Sequence, residues 1–251
     1  MTSRISHRTR RTAVASGVVV LAGALLLVLA SGAAGGAAPA GRTVAPGAGA
    51  LKSTPSAVKP PIKQNPILFG AKRQAETAAY CNRHYHLNTA LLYPKVIVLH
   101  FTAGNAWRSA WNLFAQDVPD AELHELPGPA SHFIIDQQGV IHQIIPLKFR
   151  GRHTFGLNYI AIGIEFAQAT GPSASWADRQ ILNRPAQITA GLRLVKWLMA
   201  KYHIKATNVI GHSMAHTSPY YKDYGPKKIP DHSDWQKADV LTFRSRLNTV
   251  N

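Results

Sequence analysis

Lys95–Gly104, KVIVLHFTAG, is the stretch from which the rest of the chain can be read. Val96-Ile97-Val98-Leu99 is short, apolar and mostly β-branched, and the turn residues Thr102-Ala103-Gly104 close it. That is the pattern of a strand buried on both faces. The run ends on His100, so an imidazole stands where a strand meets its loop. At that end of an α/β sheet, side chains from several strands converge on one cleft. Two later segments repeat the arrangement: Tyr159–Glu165, YIAIGIE, finishes on Glu165, and Asn208–His212, NVIGH, finishes on His212. One such histidine is commonly structural; three polar groups at three strand ends predict a site.

The 251 residues leave room for one sizeable domain with appendages, and a hydrophobic fraction of 46% is enough for a core. A net charge of +16 calls for an acidic partner or surface. The cations are scattered or gathered in the N-terminal tail, and no nucleic-acid-binding motif accompanies them, so the expected partner is an anionic cell envelope and not nucleic acid. Cys81 is the only cysteine, so no internal disulfide can form and packing must hold the fold. It falls in an expected helix, Ala71–His86, where a lone Cys reads as a small core residue.

Met1–Arg11 carries four arginines and no acid, and Ala13–Ala30 is apolar almost throughout. With the small residues that follow, residues 1–40 read as an export signal. The run is also long enough to span a bilayer, so an uncleaved N-terminal membrane anchor is the alternative. Either way the remainder is expected outside the membrane, secreted or tethered. Residues 41–65, rich in Ala, Gly and Pro, read as a flexible linker, and residues 66–251 as the folded domain.

Within that domain the pattern predicts a second helix around Trp107–Phe114 and a solvated loop over Pro119–Pro129. A β-hairpin is expected across His132–Ile145, with its tip at Asp136-Gln137-Gln138-Gly139. Gln168–Arg184 reads as an excursion outside the core. A long helix is expected from Pro185 to Tyr202, with Ile188, Leu192, Val195, Met199 and Tyr202 on one face, and a last helix over Gln236–Leu247.

A catalytic zinc takes three protein ligands and leaves a fourth position open. His100 and His212 offer two imidazoles, and Asp231-x-x-Asp234 offers a carboxylate beyond a long loop. Such a zinc acidifies water and polarises a carbonyl. Glu165, on the neighbouring strand, is placed to take the proton from water and pass it to a leaving amine. His232, two residues from Asp234, is placed to steady an oxyanion. A glycosidase reading, with Glu165 and an Asp as a carboxylate pair, leaves both strand-end histidines idle.

The segments VIVLHFTAG, ASHFIIDQQGVIHQIIP, GRHTFGLNYIAIGIE and VIGHSM, in that order, resemble the type 2 N-acetylmuramoyl-L-alanine amidases, relatives of the peptidoglycan recognition proteins and the amidase-type phage lysozymes. The resemblance spans about Lys95–Leu247. It implies an α/β domain with a central mixed β-sheet flanked by helices, a Zn2+ site, and cleavage of the bond between N-acetylmuramic acid and L-alanine in peptidoglycan. By position it implies His100 and His212 as zinc ligands, Glu165 as the catalytic glutamate, and His132, His153 and Asn158 as residues of the muramyl-peptide cleft. The family often has Lys-x-Asp or Lys-x-Cys near the third ligand. Here His232-Ser233-Asp234 fits that spacing, which assigns Asp234 to zinc and His232 to the lysine's catalytic part. Asp231 stands as the rival ligand and Asp223 as a remote one. Relatives of this fold that bind muropeptide without cutting it supply the alternative function.

Overall fold

The computed structural model describes residues 57–225, 229–230 and 232–250. The expected signal or anchor, the first part of the expected linker and the rival ligand Asp231 lie outside those residues.

Six strands form one mixed sheet in the order β1-β4-β3-β5-β2-β6. They are β1 (Ile62–Gln64), β2 (Val96–Phe101), β3 (Phe133–Ile135), β4 (Ile141–Gln143), β5 (Ala161–Phe166) and β6 (Val209–Gly211). All pairings are parallel except β3 with β4, which are the arms of the expected hairpin. The α-helices among the described residues are α1 (Ala71–Tyr85), α2 (Trp107–Gln116), α3 (Ala174–Leu182), α4 (Pro185–Tyr202) and α5 (Lys237–Ser245).

Every residue of β2 is buried, as its uninterrupted apolar run requires. Alternation divides its side chains between two layers. Ile97, Leu99 and Phe101 join Ile162, Ile164 and Phe166 of β5 in the larger core, packed by α3, α4 and α5. Val96 and Val98 point to the other layer, with Ile210 and Leu157. His100 continues that second series, so it leaves the sheet on the face opposite α4. The register pairs His100 with Glu165 and Leu99 with Gly211, which brings His212 beside His100 at the same sheet end.

The long helix forms as its spacing dictates. Pro185 occupies its first turn, Ile188, Leu192 and Val195 are buried, and it stops at His203, whose φ of 54° is left-handed. Three expectations need correction. Residues 62–64 belong to the sheet and not to a linker, since β1 pairs in parallel with β4; three residues after Lys59-Pro60-Pro61 are too short to show a period. Gln168–Arg184 is not an excursion: Ser173 caps α3 through the Trp176 N–H, and Ala177, Ile181 and Leu182 are core. The loop at Pro119–Pro129 is tied in, because Asp120 pairs with Arg152, and Glu125 accepts from Arg83 at 2.7 Å.

Candidate active site

His100, Glu165, His212 and Asp234 line one cleft of about 310 Å³, together with Ser131, Arg152, His153 and His232. His100 and Glu165 come from adjacent rungs, His212 from the turn after β6, and Asp234 from the segment before α5.

One network holds that last segment. The Ser213 N–H donates to Asp234 O at 3.0 Å, and the Ser213 hydroxyl to Trp235 O at 2.7 Å. The Gln236 N–H donates to the buried Asp178 carboxylate at 2.8 Å. Trp235 is fully buried against Phe166 and Phe243, and its indole N–H donates to His100 O at 3.2 Å. This close approach requires Gly211, where a Cβ would run into the Trp235 carbonyl.

Three donors converge at the cleft floor. His100 Nδ1 lies 3.1 Å from His212 Nδ1 and 3.1 Å from Asp234 Oδ2, and His212 Nδ1 lies 3.2 Å from Asp234 Oδ1. All three ligand atoms fall within 4.8 Å of one another. Tetrahedral nitrogen ligands at about 2.0–2.1 Å from zinc are about 3.3 Å apart, so this spacing and this donor chemistry fit that ion.

The far side of His100 fixes its tautomer. Nε2 faces Thr154 Oγ1 at 3.3 Å and His153 Nδ1 at 3.2 Å. The Thr154 hydroxyl in turn lies 2.8 Å from His153 Nδ1, and His153 Nε2 lies 3.4 Å from Ala161 O. The consistent chain has His100 Nε2–H donating to Thr154, Thr154 donating to His153, and His153 Nε2–H donating to the backbone. His100 Nδ1 is then left with its lone pair toward the cleft. Gly163 makes room for this stack, since a Cβ there would stand 2.6 Å from His153 Cγ.

Burial, aided by the neighbouring His212, pushes His100 down to about 4, and burial with neighbouring imidazoles holds His153 well below its ordinary value. Both rings are therefore neutral. Burial opposes ionisation of Asp234, but the close approach of the His100 and His212 rings outweighs that, and its carboxyl is held far below the usual range. Burial and then the Asp234 charge push Glu165 up to about 8, while the Ser131 hydroxyl, donating at 2.9 Å, works the other way. A carboxyl so placed exchanges a proton near neutral pH.

The structure sorts the remaining expected residues. His232 sits at the rim, its ring stacked on His212 with centroids 4.2 Å apart and its Nε2 3.2 Å from Glu122. His153 lines the cleft but stands behind His100. His132 and Asn158 are turned to partners within the protein. His132 is fully buried, its Nδ1 accepting from the Gly163 N–H at 3.1 Å and its Nε2 donating to Phe149 O at 3.0 Å. Asn158 accepts from the His153 and Thr154 N–H groups and donates to the Tyr80 hydroxyl at 3.1 Å. Both act as internal braces, since each of their side-chain polar atoms has a partner within the protein. Asp223 is remote from the cluster, held 2.8 Å from the Nδ1 of buried His84. Thr154, Ser131 and Asp178 were not singled out by the sequence, where a lone hydroxyl or carboxylate outside a motif carries no signal.

The sequence profile of the N-acetylmuramoyl-L-alanine amidase family matches residues 90–223. That span holds His100, Glu165 and His212 but ends before Asp234. No curated protein sequence matches the chain. Among solved structures, the amidase LysC from Clostridium intestinale is similar at 20% identity over 77% of this chain and 100% of that one, with a TM-score of 0.45. A mutant endolysin from Bacillus subtilis is similar at 24% identity over 61% of this chain and 84% of that one, with a TM-score of 0.41. The E. coli amidase AmiD, in complex with an anhydro-muramyl tripeptide, is similar at 25% identity over 48% of this chain and 49% of that one, with a TM-score of 0.38. The profile match takes in more than half of the sequence, and the chain belongs to the N-acetylmuramoyl-L-alanine amidase family.

Proposed function

We propose that the protein is a zinc amidase, working outside the cytoplasmic membrane, that hydrolyses the amide between N-acetylmuramic acid and L-alanine in peptidoglycan. The observation that carries the reading is the convergence of His100 Nδ1, His212 Nδ1 and the Asp234 carboxylate within 4.8 Å, beside the buried carboxyl of Glu165. Family membership supports the substrate class, and the basic N-terminus with its apolar run supports export.

A zinc ion held by those three residues would polarise the scissile carbonyl and acidify the attacking water. The chain's own groups do the rest. Glu165 takes the proton of the attacking water and delivers it to the leaving amine of L-alanine. Ser131 fixes the carboxyl for both transfers through Oε1. Thr154 and His153 keep His100 in one tautomer. His232, at the rim, supplies an N–H toward the carbonyl oxygen as charge develops on it.

The test is product analysis. Zinc-loaded protein incubated with purified muropeptide is expected to release free L-alanine amino termini without new reducing sugar ends. Tight binding of intact muropeptide with no turnover would instead assign the fold to recognition alone.

A further inference from the structure

On the side of the sheet opposite the cleft, the entering chain and α4 form a cationic surface built from sequence that holds no acid. Among all 251 residues none of the acids stands before Glu76, and none lies between Asp178 and Asp223. The first of these acid-free stretches enters the fold at residues 57–63 and the second includes α4, and the two meet. Lys59 Nζ lies 5.5 Å from the ring centroid of Trp197, and Lys201 Nζ lies 5.9 Å from it. Beside them an apolar groove of about 710 Å³ runs between β1 and the start of α4, lined by Pro61, Ile62 and Ala190 and by the cations Lys63 and Arg193. Lys59, Lys63, Arg193 and Lys201 are exposed, and none has a carboxylate partner among the described residues. Val58, at the entry of the chain, is 79% exposed.

We propose that this face docks on anionic lipid headgroups of the membrane to which the N-terminal segment leads. Cations around half-buried Trp197 and an apolar groove match a bilayer interface, where headgroup phosphates meet the first carbons of the acyl chains. A soluble polyanion would need the charges but not the groove. The direction of the chain agrees: the 56 residues before Ala57, with their apolar run at Ala13–Ala30, join the domain on this face. His100 and Glu165 leave the sheet on the other face, so docking turns the cleft away from the bilayer.

The test uses the full chain in nanodiscs, with Cys81→Ala and a fluorophore on a cysteine at Ala200→Cys on the outer side of α4, or at Leu113→Cys on α2 as the control for the cleft side. A lipid-borne quencher is expected to quench the Ala200 label in phosphatidylglycerol discs, weakly in phosphatidylcholine discs, and to spare the Leu113 label in both. Converting Lys59, Lys63, Arg193 and Lys201 together to Gln is expected to lower the docked-to-free ratio about fivefold per cation. Arg193→Gln alone, a milder change, is expected to lower it about fivefold. Equal quenching at both labels, or none that depends on the anionic lipid, overturns the proposal. Shielding of the Ala200 label by soluble poly(glycerol phosphate) without quenching in the discs also overturns it, in favour of a wall polymer. Muropeptide hydrolysis in solution is expected to be unchanged in these variants, so a failure of docking is distinguishable from a failure of the amidase reading.

Discussion

His100 and Glu165 face each other across one rung of the sheet, paired in register between β2 and β5. The imidazole proposed to hold zinc and the carboxyl proposed to carry the proton thereby stand on strands paired by backbone hydrogen bonds and not on loops. Replacing Glu165 with Gln keeps the shape and removes the exchangeable proton. We expect kcat on muropeptide to fall by about 10²–10⁴ while bound zinc, measured by elemental analysis, stays at the wild-type level. Unchanged turnover would remove Glu165 from the reaction.

Thr154→Val deletes the hydroxyl that links His100 Nε2 to His153. The His100 ring then loses the partner that orients it, and zinc affinity is expected to fall by about 10–100-fold in competition with a chelating dye. Activity at saturating zinc should largely return, which separates an orienting role from a direct one.

His132 and Asn158 are braces, so their loss should appear in stability and not in substrate affinity. His132→Leu leaves the Gly163 N–H and the Phe149 carbonyl without their buried partner, at a cost of about 1–3 kcal/mol for each group. We expect a lower melting temperature and an unchanged KM for the fraction that remains folded. A raised KM with unchanged melting would restore the substrate role implied by the family resemblance.

Much of this was legible in the residues. The strand-end positions of His100, Glu165 and His212 follow from apolar runs that stop on a polar residue, and the hairpin and the long helix follow from their periods. Asp234 was reachable only by spacing, since among the described residues no strand or helix leads directly into it. Its placement depends on Ser213, Trp235 and Asp178, which lie far apart in sequence. Asp178 was hidden because the polar start of Gln168–Arg184, with Gly171-Pro172, masks the helix behind it. The internal duties of His132 and Asn158 were hidden for a different reason: a polar residue inside a protein looks, in sequence, like one in a cleft.

Asp178 also gives the protein a pH signature. Burial, with Asp239 and Asp234 nearby, pushes its carboxyl up to about 7, against the pull of the Gln236 N–H. An unfolded Asp titrates near 3.9, so between about pH 4 and 7 the folded state keeps a proton that the unfolded state has lost. This group's contribution to stability therefore falls as pH rises through that window. Urea unfolding of Asp178→Asn, which can still accept from Gln236, is expected to show a shallower decline than wild type over that range. Identical slopes would place the Asp178 carboxylate among ordinary ionised groups.

The claim on which the mechanism depends is that one zinc ion, shared by His100, His212 and Asp234, is required for turnover. The direct measurement is to strip the protein with a chelator, titrate zinc back, and follow bound metal and release of L-alanine amino termini together. Activity is predicted to vanish on stripping and to return in proportion to zinc, saturating at one equivalent, with His212→Ala recovering neither. Full release of peptide from rigorously stripped protein would contradict the account.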